Sequence, residues 1–313
     1  MFNRQSIRKI LIIIIATVGL YAVFFLISDF SIIYDKLTNF KLVYLPLILG
    51  LVSASWLVLF FRWSVLLRNN QIIIPRKESF LIYLSSYSLA ATPGQLGELI
   101  KAHLLKNKLD VPLSKTAPLV LIERLYDLTG ALIVSILGIW FLGIGVFIIA
   151  AAAAALALIF VLLYSKSAFN KTLFLSKRIK FLRNVSESLS NSHESIQHSI
   201  RGRTFIISTS LSMGYWFLLG SAAYFTLLAL GIDSIGLLNM ISIYSSSLIL
   251  SAISLIPGGI GIAEGSIAGL LVLGGVDLSV AFVLGVLIRI FTLWYAVLVG
   301  FITLKINGGL TDV

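Results

Sequence analysis

Six charged residues stand where lipid should be. Glu98, Glu123, Arg124, Asp127, Glu264 and Arg289 fall within or beside runs apolar enough to lie in a bilayer. A charge at the centre of a membrane helix costs at least about 2.5–3.5 kcal/mol on insertion scales, so such a set persists only if it is paired or used. In the stretch ERLYD, Glu123 and Asp127 are four apart and Arg124 and Asp127 three apart. All three therefore share one side of a helix, where Arg124 can neutralise one carboxylate and acid is left over. Two kinds of chemistry fit. A salt-bridge network would fix helix packing; a polar cavity would let the arginines grip a phosphate bidentately while the acids balance them or carry a proton.

The elements that must hold these groups are two interrupted segments. PGQLGE, Pro93 to Glu98, resembles PGGIGIAE, Pro257 to Glu264: a Pro-Gly break, a further glycine, then a glutamate. Arg124 follows Pro93 by 31 residues and Arg289 follows Pro257 by 32, each inside the next apolar run. One Pro-Gly break is explained by a kinked span whose glycines pack on a neighbour. Two copies with matched spacing favour a paired cavity. A half-helix starting at such a break presents N–H groups worth about half a positive charge, and glycine lets an anion come close. Phosphate is the natural guest, and Arg124 and Arg289 are expected to meet each other or the opposing glutamates where the two units join.

Composition fixes the setting. Of the 313 residues 58% are apolar and only 12% charged, far from the soluble norm of about a quarter charged. Several runs reach the roughly 20 residues needed to cross a hydrocarbon core of about 30 Å, and no alternating strand pattern competes. The expected fold is therefore all-α: a polytopic bundle forming one membrane domain over 1–313. Spans are predicted near 10–28, 42–61, 117–139, 146–164, 204–230 and 279–303. The first follows Arg4, Arg8 and Lys9 like a signal peptide, but it is long, lacks a small-x-small cleavage site and reads as a retained span. The regions near 80–105 and 237–275 are the interrupted ones. The arm Phe80 to Thr92 has 13 residues and reaches only about 20 Å, so it is expected to be re-entrant.

The net charge of +11 belongs to topology rather than to nucleic acid, because the basic residues lie between apolar runs. With a cytoplasmic N-terminus, the tail, the 62–77 loop (Arg62, Arg68, Arg76, Lys77), the 101–115 region (Lys101, Lys106, Lys108, Lys115), the 166–203 loop and Lys305 fall inside. That is twenty of the 24 Lys and Arg, as the positive-inside rule requires, and it puts both termini in the cytoplasm of a cell-membrane protein. In this topology the first broken segment enters from the cytoplasm and the second from outside. Two inverted repeats are the expectation, about 42–139 and 204–303, each with a broken re-entrant hairpin; substrate sites in such folds lie near the midplane. The basic loop of about 165–203 reads as a solvated topogenic segment with one interfacial helix, or as a dock for anionic lipid headgroups.

Other chemistry is absent. HESIQH, His193 to His198, spaces its histidines five apart instead of four, about 140° apart on a helix, so zinc ligation is not expected. His103 reads as an interfacial residue, and no Walker loop or cysteine occurs. Neither a metal nor another cofactor is called for. The Ala150 to Ala155 run suits close helix packing, while Trp140, Trp216, Trp294 and Tyr295 serve as interface anchors or core aromatics.

Together, TPGQLGELIKAHLLK, ERLYD and PGGIGIAEG resemble the transmembrane module of the lysylphosphatidylglycerol synthase family, over nearly the whole chain. The resemblance implies a flippase-like membrane protein that moves a modified phospholipid or lipid-linked sugar between leaflets. It implies no aminoacyl transfer, since the chain to Val313 has no room for the soluble transferase domain. Carried over residue by residue, it assigns substrate binding to Pro93, Gly94, Gly97, Glu98, Glu123, Arg124, Asp127, Pro257, Gly258, Gly259, Gly261 and Glu264. Arg289 joins them through the repeat spacing. The expected function is translocation of an anionic phospholipid or a polyprenyl-phosphate-linked lipid, without catalysis. The partners are that lipid, the bilayer, and, among proteins, a separately encoded glycosyltransferase or synthetase or a second copy of the chain. Two rivals are a lipid-headgroup transferase with Glu98 or Asp127 as base, and a scaffold that recruits such an enzyme through the basic loop.

Overall fold

A computed structural model describes residues 19, 30–92, 97–138, 145–165, 167–168, 171, 193–254 and 256–308. The predicted span 10–28, most of the basic loop, Trp140, and the break residues Pro93 and Gly94 lie outside the described residues.

The described chain is helical. Its elements are α1 (Phe30–Thr38), α2 (Leu45–Asn69), α3 (Arg76–Ser86), α4 (Ile100–Leu109), α5 (Leu113–Ser135), α6 (Gly145–Tyr164), α7 (His193–Ser199), α8 (Gly202–Ala229), α9 (Leu237–Ser254), α10 (Ile262–Leu273), α11 (Leu278–Arg289) and α12 (Tyr295–Ile306). Short tight turns extend α3 through Leu89 and α5 through Gly138, and a π-helical turn, Ile290–Trp294, joins α11 to α12. Among the described residues four helical stretches are long and apolar enough to cross a membrane: Leu42–Asn69, Gly202–Ala229, Leu237–Ser254 and Leu278–Ile306. Helix α5 carries Glu123, Arg124 and Asp127.

Helix α2 illustrates why these segments fold as they do. Pro46 opens it, and the buried Val52, Ser55, Trp56, Leu59, Arg62, Trp63 and Leu66 recur every three to four residues along one stripe. The other side, with Leu47, Leu57 and Phe61, is equally apolar and exposed, the pattern of a helix whose solvent is lipid. The chain thus continues as helix beyond the expected end of the span at 61, through Arg62 to Asn69. Arg62 is not a loop residue.

Helix α8 lies antiparallel to α2, the amide of Lys41 donating to the carbonyl of Ala229 at 2.9 Å. Small residues bring the helices together. A Cβ on Gly130 of α5 would sit 2.7 Å from the Ser212 backbone of α8, and one on Gly220 of α8 would sit 2.7 Å from the Cα of Ile241 on α9. Close approach of this kind supplies dispersion contacts, which drive helix association where no hydrophobic effect operates.

Each interrupted region holds two helices, one on either side of its Pro-Gly motif. Helix α3 and its extension, ending at Leu89, are followed by α4 from Ile100, and α9 gives way at 257–261 to α10. Their packing is crossed. Helix α3 lies on α12, where Gly300 abuts the backbone of Tyr87 and Ser88. Helix α9 lies on α5, where a Cβ on Gly138 would come within 2.6 Å of Ser242 Cβ. The tips touch too, for a Cβ on Gly258 would lie 3.3 Å from the Cα of Ala91. In contrast, most of the Ala150 to Ala155 run is exposed on α6, so within this chain it is not the close-packing surface that composition suggested.

Candidate functional site

Where the first broken segment meets α2 and α5, six charges close on one another. Arg62 donates to Asp127 Oδ1 at 2.5 Å and stands 3.6 Å from Glu123. Lys101 contacts Glu123 and lies 3.4 Å from Glu98. Arg124 donates to Glu98 at 2.8 Å and sits 3.1 Å from Asp127. Three cations face three carboxylates. Neutrality matters here, because removing isolated charges from water costs several kcal/mol each, and only mutual pairing with further hydrogen bonds offsets it.

The helices that hold these side chains supply those extra bonds. Arg62 also donates to Ser212 Oγ of α8 at 2.6 Å, and Trp216 Nε1 donates to the backbone carbonyl of Asp127 at 2.7 Å. Lys101 is fully buried under the rings of Trp63 and Tyr83, with Nζ 4.8 and 4.9 Å from their centroids. Cation–π attraction rewards that placement most where water is excluded. Gly97 is required for the approach of Glu98: its amide donates to Thr92 Oγ1 at 2.7 Å, and a Cβ would lie 2.6 Å from the Leu89 carbonyl.

The second break carries a smaller set. Gly258, Gly259 and Gly261 have φ of +61°, +63° and +88°, a region open to glycine and costly to L side chains. Gly261 precedes α10, and Glu264, three residues on, turns back to accept its amide at 2.7 Å. The other oxygen of Glu264 lies 3.4 Å from Arg289 Nε, while Arg289 Nη2 donates to the Gly258 carbonyl. This revises the expectation of an open helix end awaiting an anion. The carboxylate of Glu264 already occupies the start of α10.

Arg124, Asp127 and Arg289 converge on two adjoining cavities. One, of about 80 Å³, has aromatic walls including Trp56, Tyr87 and Tyr244, with Glu98 at its edge. The other, of about 260 Å³, runs past Thr92, Gly258 and Gly259 between aliphatic walls that include Leu128, Ile249 and Ile256. The two arginines from the matched spacings thus line common cavities, but each pairs with the glutamate of its own segment, Arg124 with Glu98 and Arg289 with Glu264, rather than with the opposing one. Of the remaining sequence candidates, Glu123 and Glu264 are fully buried behind that surface, Pro257, Gly97 and Gly261 shape the breaks, and Pro93 and Gly94 lie outside the described residues.

Arg62 and Lys101 were missed. The topology counts both on the cytoplasmic side, Arg62 in the 62–77 loop and Lys101 in the 101–115 region, whereas both are fully buried partners of the acids, so the surplus of acid expected from ERLYD does not exist. The signals were present. Arg62 continues the three-to-four spacing of Ser55 and Leu59, and Lys101 follows Glu98 by three. Of the bystanders, His103 is exposed near the Leu99 carbonyl and Trp216 is a core residue. Among the described residues no group of His, Cys, Asp and Glu is arranged to hold a metal ion.

A helical membrane protein with a charged cavity where two broken segments meet is the class these features define. The sequence matches the family described as lysylphosphatidylglycerol synthase TM region over residues 10–300, and the chain belongs to that family. It is also similar to the UPF0104 membrane protein MJ1078 of Methanocaldococcus jannaschii, 29% identical over 219 residues, covering 66% of this chain and 88% of the relative.

Proposed function

We propose that the protein is a flippase-like transporter that passes a phosphate-bearing lipid, an anionic phospholipid or a polyprenyl-phosphate-linked lipid, between the leaflets of the cell membrane. The observation that carries this reading is the wall shared by the two cavities: Arg124 and Arg289, one from each broken unit, line both together with Asp127, and the larger has aliphatic walls. Paired guanidinium groups suit a phosphate, and the groove suits the chain attached to it. The headgroup would travel through the protein while the tails stay in lipid.

Crossed packing supports an inverted-repeat reading. The first arm of each broken segment lies on the last helix of the other unit, α3 on α12 and α9 on α5, as exchange about a pseudo-two-fold axis would give. In this reading the hairpins enter from opposite leaflets and both termini are cytoplasmic. Deducting the buried Arg62 and Lys101 leaves the cytoplasmic excess of Lys and Arg intact. A transferase with Glu98 or Asp127 as base finds less support, because both carboxylates are already engaged by Arg124. A soluble enzyme recruited by the basic loop is compatible with transport and is a separate question.

The test is a leaflet-exposure assay in proteoliposomes with a fluorescent phosphatidylglycerol and, in parallel, a polyprenyl phosphate. Arg124→Gln and Arg289→Gln should each lower translocation at least tenfold in folded protein. Unchanged rates in both would remove the arginines from the path.

A further inference from the structure

The two broken units are tied to the rest of the molecule in different ways. In the first, Arg62 of α2 reaches Glu123 and Asp127 on α5 and also donates to Ser212 of α8 at 2.6 Å, cross-linking the unit to a helix outside it. In the second, the Arg289–Glu264 pair joins the two ends of one helical hairpin, α10–α11, to each other. That hairpin is tight within itself, since a Cβ on Gly285 would come 3.1 Å from the Glu264 carbonyl.

Each end of the hairpin is a joint. Before α10 come three glycines at positive φ, Gly258, Gly259 and Gly261. After α11 comes the π-helical turn Ile290–Trp294. Such turns hold an extra residue in the helix and recur at functional sites and kinks. Beyond it α12 belongs to another body: Tyr295 hydroxyl meets Ser53 Oγ of α2 at 3.1 Å, its ring lies 5.0 Å from that of Trp56, and Gly300 abuts α3. Arg289 stands between the joints, bonded to Gly258 on one side and next to the π turn on the other.

The geometry points to the α10–α11 hairpin, residues 262–289, moving as a rigid body on a scaffold of α2, α3, α5, α8 and α12. It pivots at 257–261 and 290–294, with the Arg289 bond to the Gly258 carbonyl as the latch. Because Gly258, Gly259 and Arg289 line the larger cavity, the motion changes that cavity's access. The link to access rests on the lipid-translocation reading; the motion itself does not.

The chain has no cysteine, so spin labels can be placed directly on engineered ones. Leu273→Cys, at the exposed tip of the hairpin, is paired in turn with Val43→Cys and Ile206→Cys, exposed on the scaffold. Val43→Cys with Ile206→Cys is the internal reference. Pulsed electron–electron distance measurements in lipid nanodiscs should give two populations for both Leu273 pairs and one for the reference. Arg289→Gln should shift the Leu273 populations, and deletion of Ile290, which restores an ordinary helical repeat, should merge them. Leu273 distributions as narrow as the reference, or insensitive to both changes, overturn the proposal. If the deletion broadens the reference pair, the fold is damaged and Arg289→Gln alone decides. Distances are read without lipid flux, so a mobile hairpin in a protein that fails to transport would count against the function alone.

Discussion

The regions around the two Pro-Gly motifs differ in how they balance charge. The first gathers six charged side chains, drawn from α2, the segment 97–109 and α5, five of them buried and Arg124 partly exposed, and balances three cations against three carboxylates. The second buries an arginine and a glutamate, and spends the glutamate on its own helix start. Where α5 has Asp127 three residues after its arginine, α11 leads to Thr292. The difference separates two tasks. A network spread over several helices fixes their relative positions, whereas a pair within one hairpin leaves that hairpin's position to apolar contacts.

The sharpest way to break this comparison is to unbalance the first network. Arg62→Leu removes the side chain that serves Asp127, Glu123 and Ser212 at once. Losing one partner of a buried pair typically costs about 3–5 kcal/mol. Thermal or denaturant unfolding in detergent should show a loss of that order, larger than for Arg289→Leu. Equal losses would mean that the networks do the same work. Lys101→Met should cost nearly as much, and adding Glu123→Gln should restore part of it, because the second change removes the surplus carboxylate, whose nearer cation was lost and which keeps only Arg62 at 3.6 Å. A strictly additive double variant would dissolve the network into independent pairs.

Next in size is the glycine that shapes the second break. At Gly259 a methyl group would collide with Ser251 Oγ, and φ is +63°. Gly259→Ala should cost about 1–2 kcal/mol for the backbone alone, plus the clash. Gly259→Ala with Ser251→Ala should recover only the clash component. Full recovery would show that backbone conformation there is not constrained, and would weaken the description of 257–261 as a joint.

Which parts of this arrangement could be read from the residues follows from what each pattern reports. Pro93 and Gly94 lie outside the described residues; the Pro257-Gly258 break and the shared placement of Arg124 and Arg289 survive because a helix break is a local fact of sequence and an arginine inside an apolar run needs a polar neighbour. Arg62 and Lys101 did not, since a basic residue at the edge of an apolar run is ordinarily a boundary marker, and only tertiary neighbours reveal it as a counter-ion. Glu264 is a binding candidate through its place in the repeated Pro-Gly-to-glutamate pattern and through the family resemblance. Its spacing of three from Gly261 is equally that of a residue capping its own helix, and the geometry chose the cap. Helix packing partners, such as Gly300 against Ser88, are set by side-chain shape across 212 residues of chain and leave no periodic trace.

The smallest predicted effect tests the boundary between scaffold and hairpin. Tyr295 follows the π turn and meets Ser53 by one partly buried hydrogen bond at 3.1 Å, while its ring packs on Trp56. Tyr295→Phe keeps the ring and loses the bond, for which about 0.5–1.5 kcal/mol is expected in detergent unfolding. If α12 is anchored to α2 mainly by packing, the Val43–Ile206 and Leu273 distance distributions should both be unchanged in this variant. A shift confined to Leu273 would instead mean that the hydroxyl restrains the hairpin, and that the pivot extends past Trp294 into α12.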